Sequence, residues 1–258
     1  ITGEGVRKTL KKIKEIIPGL KIYEVKTGTK AFDWTVPKEW QVKEAWIKDP
    51  SGKKICDFKD NNLHLVSYSV PTHLKISKPE LMKRLYSIPS MPNAIPYYTS
   101  YYTKDWGFCI THNKKKKLKN GQYEVFIDSK LFDGNLTYGE ILIKGKQKKE
   151  IFLSTYICHP SMANDQLSGI CVTTFLASWI SKLSSRKYSY RIIFIPETIG
   201  SLVYLSKNLV KMKKNIVAGF NIACVGDEKN YSYIPSRNGK TMSDKIALHV
   251  IRHLDKNT

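Results

Sequence analysis

Three apolar runs of strand length each lead into a polar side chain that can ligate a metal ion or move a proton. The run that begins at Ile151 leads to His159, the run RIIFIP leads to Glu197, and the run AGFNIACVG leads to Asp227. Unbroken runs of Ile, Val and Phe are typical of strands covered on both faces, as in parallel sheets. Because ligands bind beyond the carboxyl ends of the strands in open α/β sheets, we expect these side chains to share one edge of a sheet.

Helical spacing of apolar residues separates these runs. It predicts helices over residues 4–17, 167–183, 199–210 and 243–254, and Pro18-Gly19 ends the first of them. Strands that alternate with helices predict the α/β fold class, here with a sheet that lies between layers of helices as an α/β/α arrangement.

The stretch between residues 32 and 146 has a different pattern, with short alternating runs separated by turn residues. Asn120-Gly121 is a candidate tight turn, and only residues 79–88 have helical spacing. The opening helix is expected to pack on the sheet that follows residue 147. The pattern therefore predicts a β-rich subdomain (residues 32–146) inserted into an α/β domain made of residues 1–31 and 147–258.

Lysine dominates the charge of the chain. The 258 residues carry a formal net charge of +21, from 37 lysines and only 6 arginines against 22 acidic residues. Clustered cations bind nucleic-acid phosphates, but arginine is the residue expected for bidentate phosphate recognition. A solvated lysine surface is therefore favoured over nucleic-acid binding, and the KKKK run at 114–117 is expected to be a charged hairpin tip.

The number and spacing of the cysteines indicate a reducing compartment. The five cysteines are scattered, without a CxxC pair, so we expect free thiols in a reducing cytoplasm rather than a disulfide framework. No run reaches the roughly 18 apolar residues of a membrane helix, and no membrane partner is expected. The chain opens without methionine and stops just after a helical pattern, so both ends are interpreted as cut.

Two candidate residues follow the first apolar run, and each has a structural and a functional interpretation. Pro160 biases His159 toward extended geometry, which suits a metal ligand at a strand end and equally a histidine that only hydrogen-bonds there. Asp165 precedes the predicted helix at Leu167, so it is either a metal ligand or a helix N-cap. Asn164 could serve as the cap in its place.

The other two strand ends leave similar alternatives. Glu197 stands directly before a predicted helix, where it is either a general base or a carboxylate stabilised by the helix dipole. Asp227 lies in a polar loop, where it is either a metal ligand or a turn residue. One imidazole and three carboxylates at strand ends together indicate a metal-dependent hydrolase.

Aromatic side chains cluster beside polar groups in two further segments. FDWTVP contains Trp34, and PYYTSYY contains Tyr98 and Tyr101. In one interpretation these rings form part of an aromatic core or a sheet face. In the other they form a stacking platform for sugar rings or a lid over the α/β crevice. Trp34 and Tyr98 are the candidate substrate-binding residues under the second interpretation.

Longer motifs extend over nearly the whole chain. The segments STYICHPSMANDQLSG, IPETIGS, CVGDEKNYSYIPSRNG, FDWTVPKEW and YYTSYYTKDWGFC resemble bacterial proteins described as polysaccharide-biosynthesis proteins with an aminopeptidase-like domain. That family is similar in its α/β part to the superfamily of zinc aminopeptidases and glutaminyl cyclases. The resemblance implies a zinc-peptidase-like fold with an inserted β-rich domain, a zinc cofactor, and a further C-terminal part beyond this sequence.

The resemblance also implies a role for three residues. His159 matches the first histidine ligand of the zinc peptidases. Asp165, within ANDQLSG, matches the aspartate that bridges two zinc ions. Glu197 matches the first glutamate of a Glu-Glu pair, which serves as the general base.

The chain departs from the pattern of that superfamily. Thr198 stands where a second, metal-ligating glutamate is expected. Ala223 or Cys224 stands where a ligand aspartate is expected, and Asp227 lies a few residues further on as a substitute. The last histidine ligand would lie after Thr258. A single zinc ion is therefore the expected cofactor.

The resemblance and the strand-end residues together predict a function. The expected activity is zinc-dependent, aminopeptidase-like hydrolysis of an amide bond, linked to surface polysaccharide biosynthesis. The expected substrate is a small peptide-like or amino-sugar-like molecule. The missing ligands keep an alternative open, in which a catalytically degenerate peptidase fold binds a glycan or a peptide.

Overall fold

The computed structural model describes residues 2–100, 102–228 and 232–254, and contacts divide the chain into two compact units. The first, here called the α/β unit, comprises residues 1–36 and 135–258, and the second, the β-rich unit, comprises residues 37–134. The chain leaves the α/β unit once and returns once, so the β-rich unit is an insertion. Within the described ranges, no helix combines the length and mean hydropathy needed to cross a bilayer.

The described residues form six α-helices: α1 (Glu4–Ile16), α2 (Lys78–Lys83), α3 (His112–Lys116), α4 (Ser168–Lys182), α5 (Ile199–Asn215) and α6 (Met242–Leu254). They also form thirteen strands: β1 (Lys21–Lys26), β2 (Lys30–Ala31), β3 (Trp34–Thr35), β4 (Glu39–Lys48), β5 (Lys54–Asp57), β6 (Thr72–Ser77), β7 (Leu85–Tyr86), β8 (Phe108–Cys109), β9 (Gln122–Phe132), β10 (Asn135–Ile143), β11 (Glu150–Tyr156), β12 (Ser189–Ile195) and β13 (Ile216–Asn221). A 3₁₀ turn covers Asn62–His64, and a π-helical turn covers Ala163–Leu167.

A five-stranded sheet in the order β1-β10-β12-β11-β13 organises the α/β unit. The strands β11, β12 and β13 are mutually parallel, whereas β1 and β10 run antiparallel to their neighbours. Tyr156 pairs with Ile195, and Ser154 pairs with Asn221. This register brings the carboxyl ends of all three parallel strands to the same edge of the sheet.

Helices cover both faces of this sheet. The apolar side chains of α1 and α4 pack on one face with Ile192 and Phe194 of β12. Those of α5 pack on the opposite face with the intervening residues Ile193 and Ile195. Successive strand residues point to opposite faces, which explains why the four residues 192–195 (IIFI) are all apolar. The predicted layered α/β/α sheet is confirmed.

The strand β10 lies in the α/β unit, and this places the unit boundaries at 36/37 and 134/135 instead of the predicted 31/32 and 146/147. β10 pairs with both β1 and β12 in the five-stranded sheet. The strands β2 and β3 also belong to the α/β unit. A half-buried alternating strand has the same sequence pattern in either sheet, so only its pairing partner decides which unit it joins.

An antiparallel four-stranded sheet in the order β5-β4-β9-β6 organises the β-rich unit. Alternate residues of β4 and β9 point into a core that the strand β8 and the helix α2 also enter. The buried residues of this core include Ala45, Ile47, Leu81, Phe108, Val125 and Ile127. The alternating pattern that the sequence shows in this region therefore corresponds to a sheet with one buried face.

The lysine run at 114–117 lies in α3 and its C-terminal cap, which corrects the expected hairpin tip. Thr111 accepts a hydrogen bond from the Lys114 N–H and thereby caps this short helix. The turn at Asn120-Gly121 consequently precedes β9 without joining two strands.

One buried arginine links three strands and a helix of the α/β unit. Arg191 of β12 is 2% exposed and donates through Nε and Nη2 to the two carboxylate oxygens of Glu150 on β11, at 2.6 and 2.9 Å. It also donates to Glu140 of β10, whose other oxygen accepts the Tyr204 hydroxyl of α5 at 3.0 Å. A buried charge is tolerated only when it is paired and hydrogen-bonded, so this network constrains all four elements.

We expect the substitution Arg191→Met to lower the free energy of unfolding by about 3–5 kcal/mol, because it leaves the buried carboxylate of Glu150 and the partly buried carboxylate of Glu140 without their counter-ion. Urea unfolding followed by circular dichroism measures the change. Arg7→Met serves as the control, since the ion pair of Arg7 with Glu4 at 3.0 Å is on the surface and contributes little. Equal unfolding midpoints for the two variants would contradict a stabilising role for the network.

Candidate active site

Two neighbouring parallel strands deliver a histidine and a glutamate to the same place. β11 ends at Tyr156 and β12 ends at Ile195, and these two residues are paired. The pairing continues one residue further, because the Ile157 N–H donates to the Ile195 carbonyl at 3.0 Å. The segments that carry His159 and Glu197 therefore leave the sheet side by side.

The side chains of Cys158, His159 and Glu197 form a compact group at these strand ends. His159 Nε2 lies 3.2 Å from Glu197 Oε2, and His159 Nδ1 lies 3.2 Å from Cys158 Sγ. The Glu197 N–H donates to the same sulfur at 3.3 Å. One ligand atom from each residue lies within 4.8 Å of the others, so the group has the compactness that a metal ion requires.

Exposure increases across this group from the sulfur to the carboxylate. Cys158 is 8% exposed, the His159 side chain 11%, and the Glu197 side chain 52%. Burial raises the pKa of the Cys158 thiol to about 11, so this thiol stays protonated at neutral pH. The exposed carboxylate of Glu197 is the part of the group that a substrate can reach.

The sulfur of Cys158 has a positioning role that the sequence analysis missed. It contacts the His159 ring and the Glu197 backbone at once. When His159 Nδ1 carries the ring proton, it donates to this sulfur and leaves the Nε2 lone pair directed at Glu197. A hydrogen bond to one ring nitrogen is the usual way in which proteins orient the other nitrogen for a metal.

Gln166 holds the backbone of the histidine segment, and the sequence analysis missed this residue as well. Its Oε1 accepts the Cys158 N–H at 2.6 Å and also the His159 N–H, and its Nε2 donates to the His159 carbonyl at 2.9 Å. The motif NDQLSG contained the signal, because an amide side chain has an acceptor oxygen and a donor nitrogen side by side and can bond a backbone carbonyl and N–H groups at once.

Asp165 lies in the π-helical turn Ala163–Leu167, apart from the compact group. Its Oδ1 accepts the Tyr156 hydroxyl at 2.7 Å, and its carbonyl accepts the same hydroxyl at 2.8 Å. Burial and this hydrogen bond raise the pKa of Tyr156 well above its ordinary value. The N-cap position of α4 is Leu167, without a side-chain cap, so Asp165 is not the N-cap that the structural interpretation expected.

Asp227 lies on the loop that follows β13, and this loop is tied to the beginning of α4. The Asn164 amide donates to Asp227 Oδ2 at 2.9 Å, and Asn164 Oδ1 accepts the Gly226 N–H at 2.7 Å. A Cβ on Gly226 would lie 2.8 Å from Ser168 Cβ, so the loop packs against the helix at a position suited to glycine. Asn164 thus links the segment of Asp165 to that of Asp227.

Strained backbone occurs near each of the three strand-end residues His159, Glu197 and Asp227. Among the described residues, five other than glycine have a positive φ, and three of these are Ser161 (57°), Thr198 (55°) and Cys224 (53°). Such conformations cost of order 1–3 kcal/mol each and cluster at functional sites. Thr198 has this conformation directly after Glu197, at the start of α5.

The two candidate aromatic residues fall in different units. Trp34 belongs to β3 in the α/β unit, where it packs against the buried cluster under α5. Tyr98 belongs to the β-rich unit, is 44% exposed and stacks on Tyr86 with ring centroids 4.6 Å apart. Tyr101 lies outside the described residues. Trp34 thus has the environment of a core residue, whereas Tyr98 presents an exposed ring.

Solved structures define the class of this fold. A zinc aminopeptidase from Bacillus subtilis superposes with a TM-score of 0.63 at 14% identity, covering 98% of this chain and 71% of that one. A Peptidase M28 precursor from Shewanella amazonensis superposes with a TM-score of 0.54 at 11% identity, covering 83% and 64%. The fold is therefore zinc-aminopeptidase-like, with the compact group at the strand ends.

More similar relatives identify the family. The chain is 52% identical over 253 residues to a Clostridium acetobutylicum protein described as a polysaccharide biosynthesis protein with an aminopeptidase-like domain. A crystal structure of a protein from the same organism, described as a peptidase, superposes with a TM-score of 0.92 at 51% identity. The chain belongs to the DUF4910 family, a domain of unknown function, whose sequence profile matches residues 1–258.

These relatives are longer than the chain. The chain spans 58% of the curated relative and 60% of the crystallised one, although the matches cover 98% and 100% of the chain itself. The resemblance to polysaccharide-biosynthesis proteins with an aminopeptidase-like domain is confirmed.

We expect Gln166→Ala to destabilise the chain by about 1–3 kcal/mol, because it leaves two partly buried N–H groups without an acceptor. It should also broaden the NMR signals of the His159 ring, whose backbone would lose its support. Chemical unfolding and histidine NMR spectra measure the two effects. Gln147→Ala, at an exposed position, is the matched control, and an equal effect of both substitutions would contradict the role of Gln166.

Proposed function

We propose that this chain is the zinc-binding part of an aminopeptidase-type hydrolase that cleaves an amide bond. One observation carries the proposal. In a zinc-aminopeptidase-like fold, an imidazole nitrogen and a solvent-accessible carboxylate lie 3.2 Å apart at the ends of adjacent parallel strands. This is where open α/β sheets bind their ligands.

The chemistry of the side chains fits a zinc ion. Zinc in proteins is bound by imidazole nitrogen and carboxylate oxygen, among other atoms, and the compact group offers one of each within 4.8 Å. Its third member, the Cys158 thiol, stays protonated and contacts the imidazole. We assign His159 as a ligand, and we propose Asp165 and Asp227 as carboxylate ligands because of the sequence resemblance. Thr198 offers no carboxylate where a second glutamate is expected, which supports one ion rather than two.

The proposed mechanism gives Glu197 the proton transfers. When bound, zinc supplies a Lewis acid that polarises the amide carbonyl and acidifies a water molecule. Glu197 Oε2 accepts the proton of the attacking water and passes it to the leaving amine nitrogen. Cys158 and Gln166 hold the imidazole and its backbone, so that the base and the histidine keep their separation during the reaction.

The similarity to relatives and the state of the cysteines support a substrate class and a location. A small peptide-like or amino-sugar-like amide fits a peptidase-like fold in a relative of polysaccharide-biosynthesis proteins. Tyr98 and Trp34 are the proposed substrate-binding residues. The ring of Tyr98 is exposed, whereas Trp34 also packs against the buried cluster under α5. The free state of all five cysteines supports a reducing compartment, and we propose the cytoplasm.

A second candidate function is a degenerate peptidase fold that binds a glycan or a peptide without cleaving it. The observation in its favour is the carboxylate of Asp165, which accepts the Tyr156 hydroxyl and lies outside the compact group among the described residues. Thr198 also favours it. The two functions differ in whether zinc binds and whether an amide is cleaved.

We expect Glu197→Gln to lower amide hydrolysis by about 10²–10⁴-fold, the usual contribution of a general base. The zinc content should stay unchanged, because the amide keeps the size of the carboxylate. Hydrolysis of a panel of aminoacyl-p-nitroanilides and elemental analysis measure the two quantities. Glu15→Gln on the exposed face of α1 is the control. An active Glu197→Gln variant would rule out the assigned base.

We expect about one zinc ion per chain, and we expect Asp165→Ala to lose it, since a zinc site with few protein ligands depends on each of them. Elemental analysis after dialysis measures zinc, with Asp60→Ala at an exposed position as the control. Zinc retained by Asp165→Ala would restrict this aspartate to its contact with Tyr156. A wild-type chain that takes up no zinc would favour the degenerate fold.

A further inference from the structure

The β-rich unit contains a cavity of about 300 Å³ whose rim is strongly cationic. It lies between the turn that precedes β5 and the segment from the end of β8 to the start of β9. Five lysines and a single carboxylate, that of Asp49, line it. The lysines are Lys53, Lys54, Lys114, Lys117 and Lys119.

Most of these ammonium groups have no carboxylate partner. Lys54 is paired with Asp57 at 2.6 Å and with Glu44 at 3.7 Å. For the other four lysines of the rim, no carboxylate oxygen of the described residues lies within 4.0 Å of the ammonium nitrogen. The net charge of the lining is therefore positive, and an anion in the cavity would gain a favourable Coulomb interaction with it.

The single carboxylate of the rim is already engaged by its own turn. Asp49 Oδ1 accepts the Ser51 N–H at 2.9 Å, the Ser51 hydroxyl at 2.6 Å and the Lys53 N–H at 3.1 Å. These bonds shape the turn that carries Lys53 to the rim. Asp49 thus holds the turn in place, and its negative charge, which also interacts with Lys119, stands against five positive charges in the lining.

The floor of the cavity is apolar. Ile110 is fully buried, Tyr123 is 1% exposed and Leu118 is 9% exposed, and Ile55 packs against the same core. The Tyr123 hydroxyl donates to the Lys119 carbonyl at 2.8 Å, which secures one lysine of the rim to the floor. A cationic rim above an apolar floor suits a ligand that has both anionic groups and a compact carbon skeleton.

We propose that this cavity is a binding site for a phosphorylated small molecule of about the size of a sugar. Lysine is an established phosphate binder that acts as a point charge, and several lysines around one cavity can hold more than one phosphate oxygen. The volume lies at the lower end of the range for small-molecule sites, about 300–1,000 Å³. The site lies wholly within the β-rich unit and does not depend on the proposed hydrolase activity.

The shape of the site favours a small molecule over a nucleic acid. Proteins that bind single strands use exposed aromatic rings on which bases stack, along a groove that follows the backbone. The one aromatic ring of this cavity belongs to Tyr123, which is almost fully buried. No arginine lines the cavity, so the forked donor that typifies specific phosphate and base recognition is missing from it.

The test is isothermal titration of the whole chain with a hexose bisphosphate. We expect the triple variant Lys114→Gln, Lys117→Gln and Lys119→Gln to bind at least about tenfold more weakly than the wild type, which is the effect of about 1.4 kcal/mol. The triple variant Lys8→Gln, Lys11→Gln and Lys14→Gln on the exposed face of α1 removes the same charge elsewhere and should bind like the wild type. Circular dichroism verifies that both variants are folded.

Two outcomes would overturn the proposal. Equal weakening in both triple variants would show that the overall positive charge, and not the cavity, attracts the ligand. Absence of binding by the wild type at low ionic strength, where ion pairs are strongest, would exclude the site, even if the chain bound an oligonucleotide through the same lysines.

Discussion

The buried ion network around Arg191 is the constraint on which the α/β unit depends. It joins β10, β11, β12 and α5 through hydrogen bonds that require each partner in one position. A slip of one residue in the pairing of β11 and β12 would turn the buried Glu150 carboxylate away from Arg191 and expose apolar residues. The same register places Tyr156 beside Ile195 and so brings the following segments together. The geometry of the candidate active site therefore follows from charges buried elsewhere in the sheet.

The two ends of the parallel strands have different chemistry. Glu150, which forms an ion pair with Arg191, is the first residue of β11. Cys158 and His159 follow the last residue of the same strand. Glu150 at the first end is buried and paired with Arg191, and the second end has strained backbone and a half-exposed carboxylate. This division is the usual one in α/β proteins, where a well-packed sheet supports loops that hold the functional groups. The fold alone permits many functions, so the proposal of hydrolysis depends on Glu197 and His159.

In the β-rich unit, lysines that are adjacent in the sequence have different structural environments. The lysine run is a uniform feature in the sequence, yet the short helix α3 separates its members. Lys115 is drawn inward to donate to the Leu85 carbonyl, and burial lowers its pKa. Lys114 and Lys117 instead point to the cationic cavity. Helical geometry turns a run of four identical residues into groups with different environments, because successive residues point in directions about a third of a turn apart.

The sequence by itself determined the apolar strands, the helices that cover them, and the placement of His159 and Glu197 at strand ends, because these depend on local periodicity. The tertiary structure decided which sheet β10 joins, the pairing of Asp165 with Tyr156, and the role of Gln166. It also decided that Arg191 is buried, although arginine in a sequence indicates a surface. Each of these depends on contacts that a one-dimensional pattern does not encode, since a side chain's partner is set by packing and not by its neighbours in the chain.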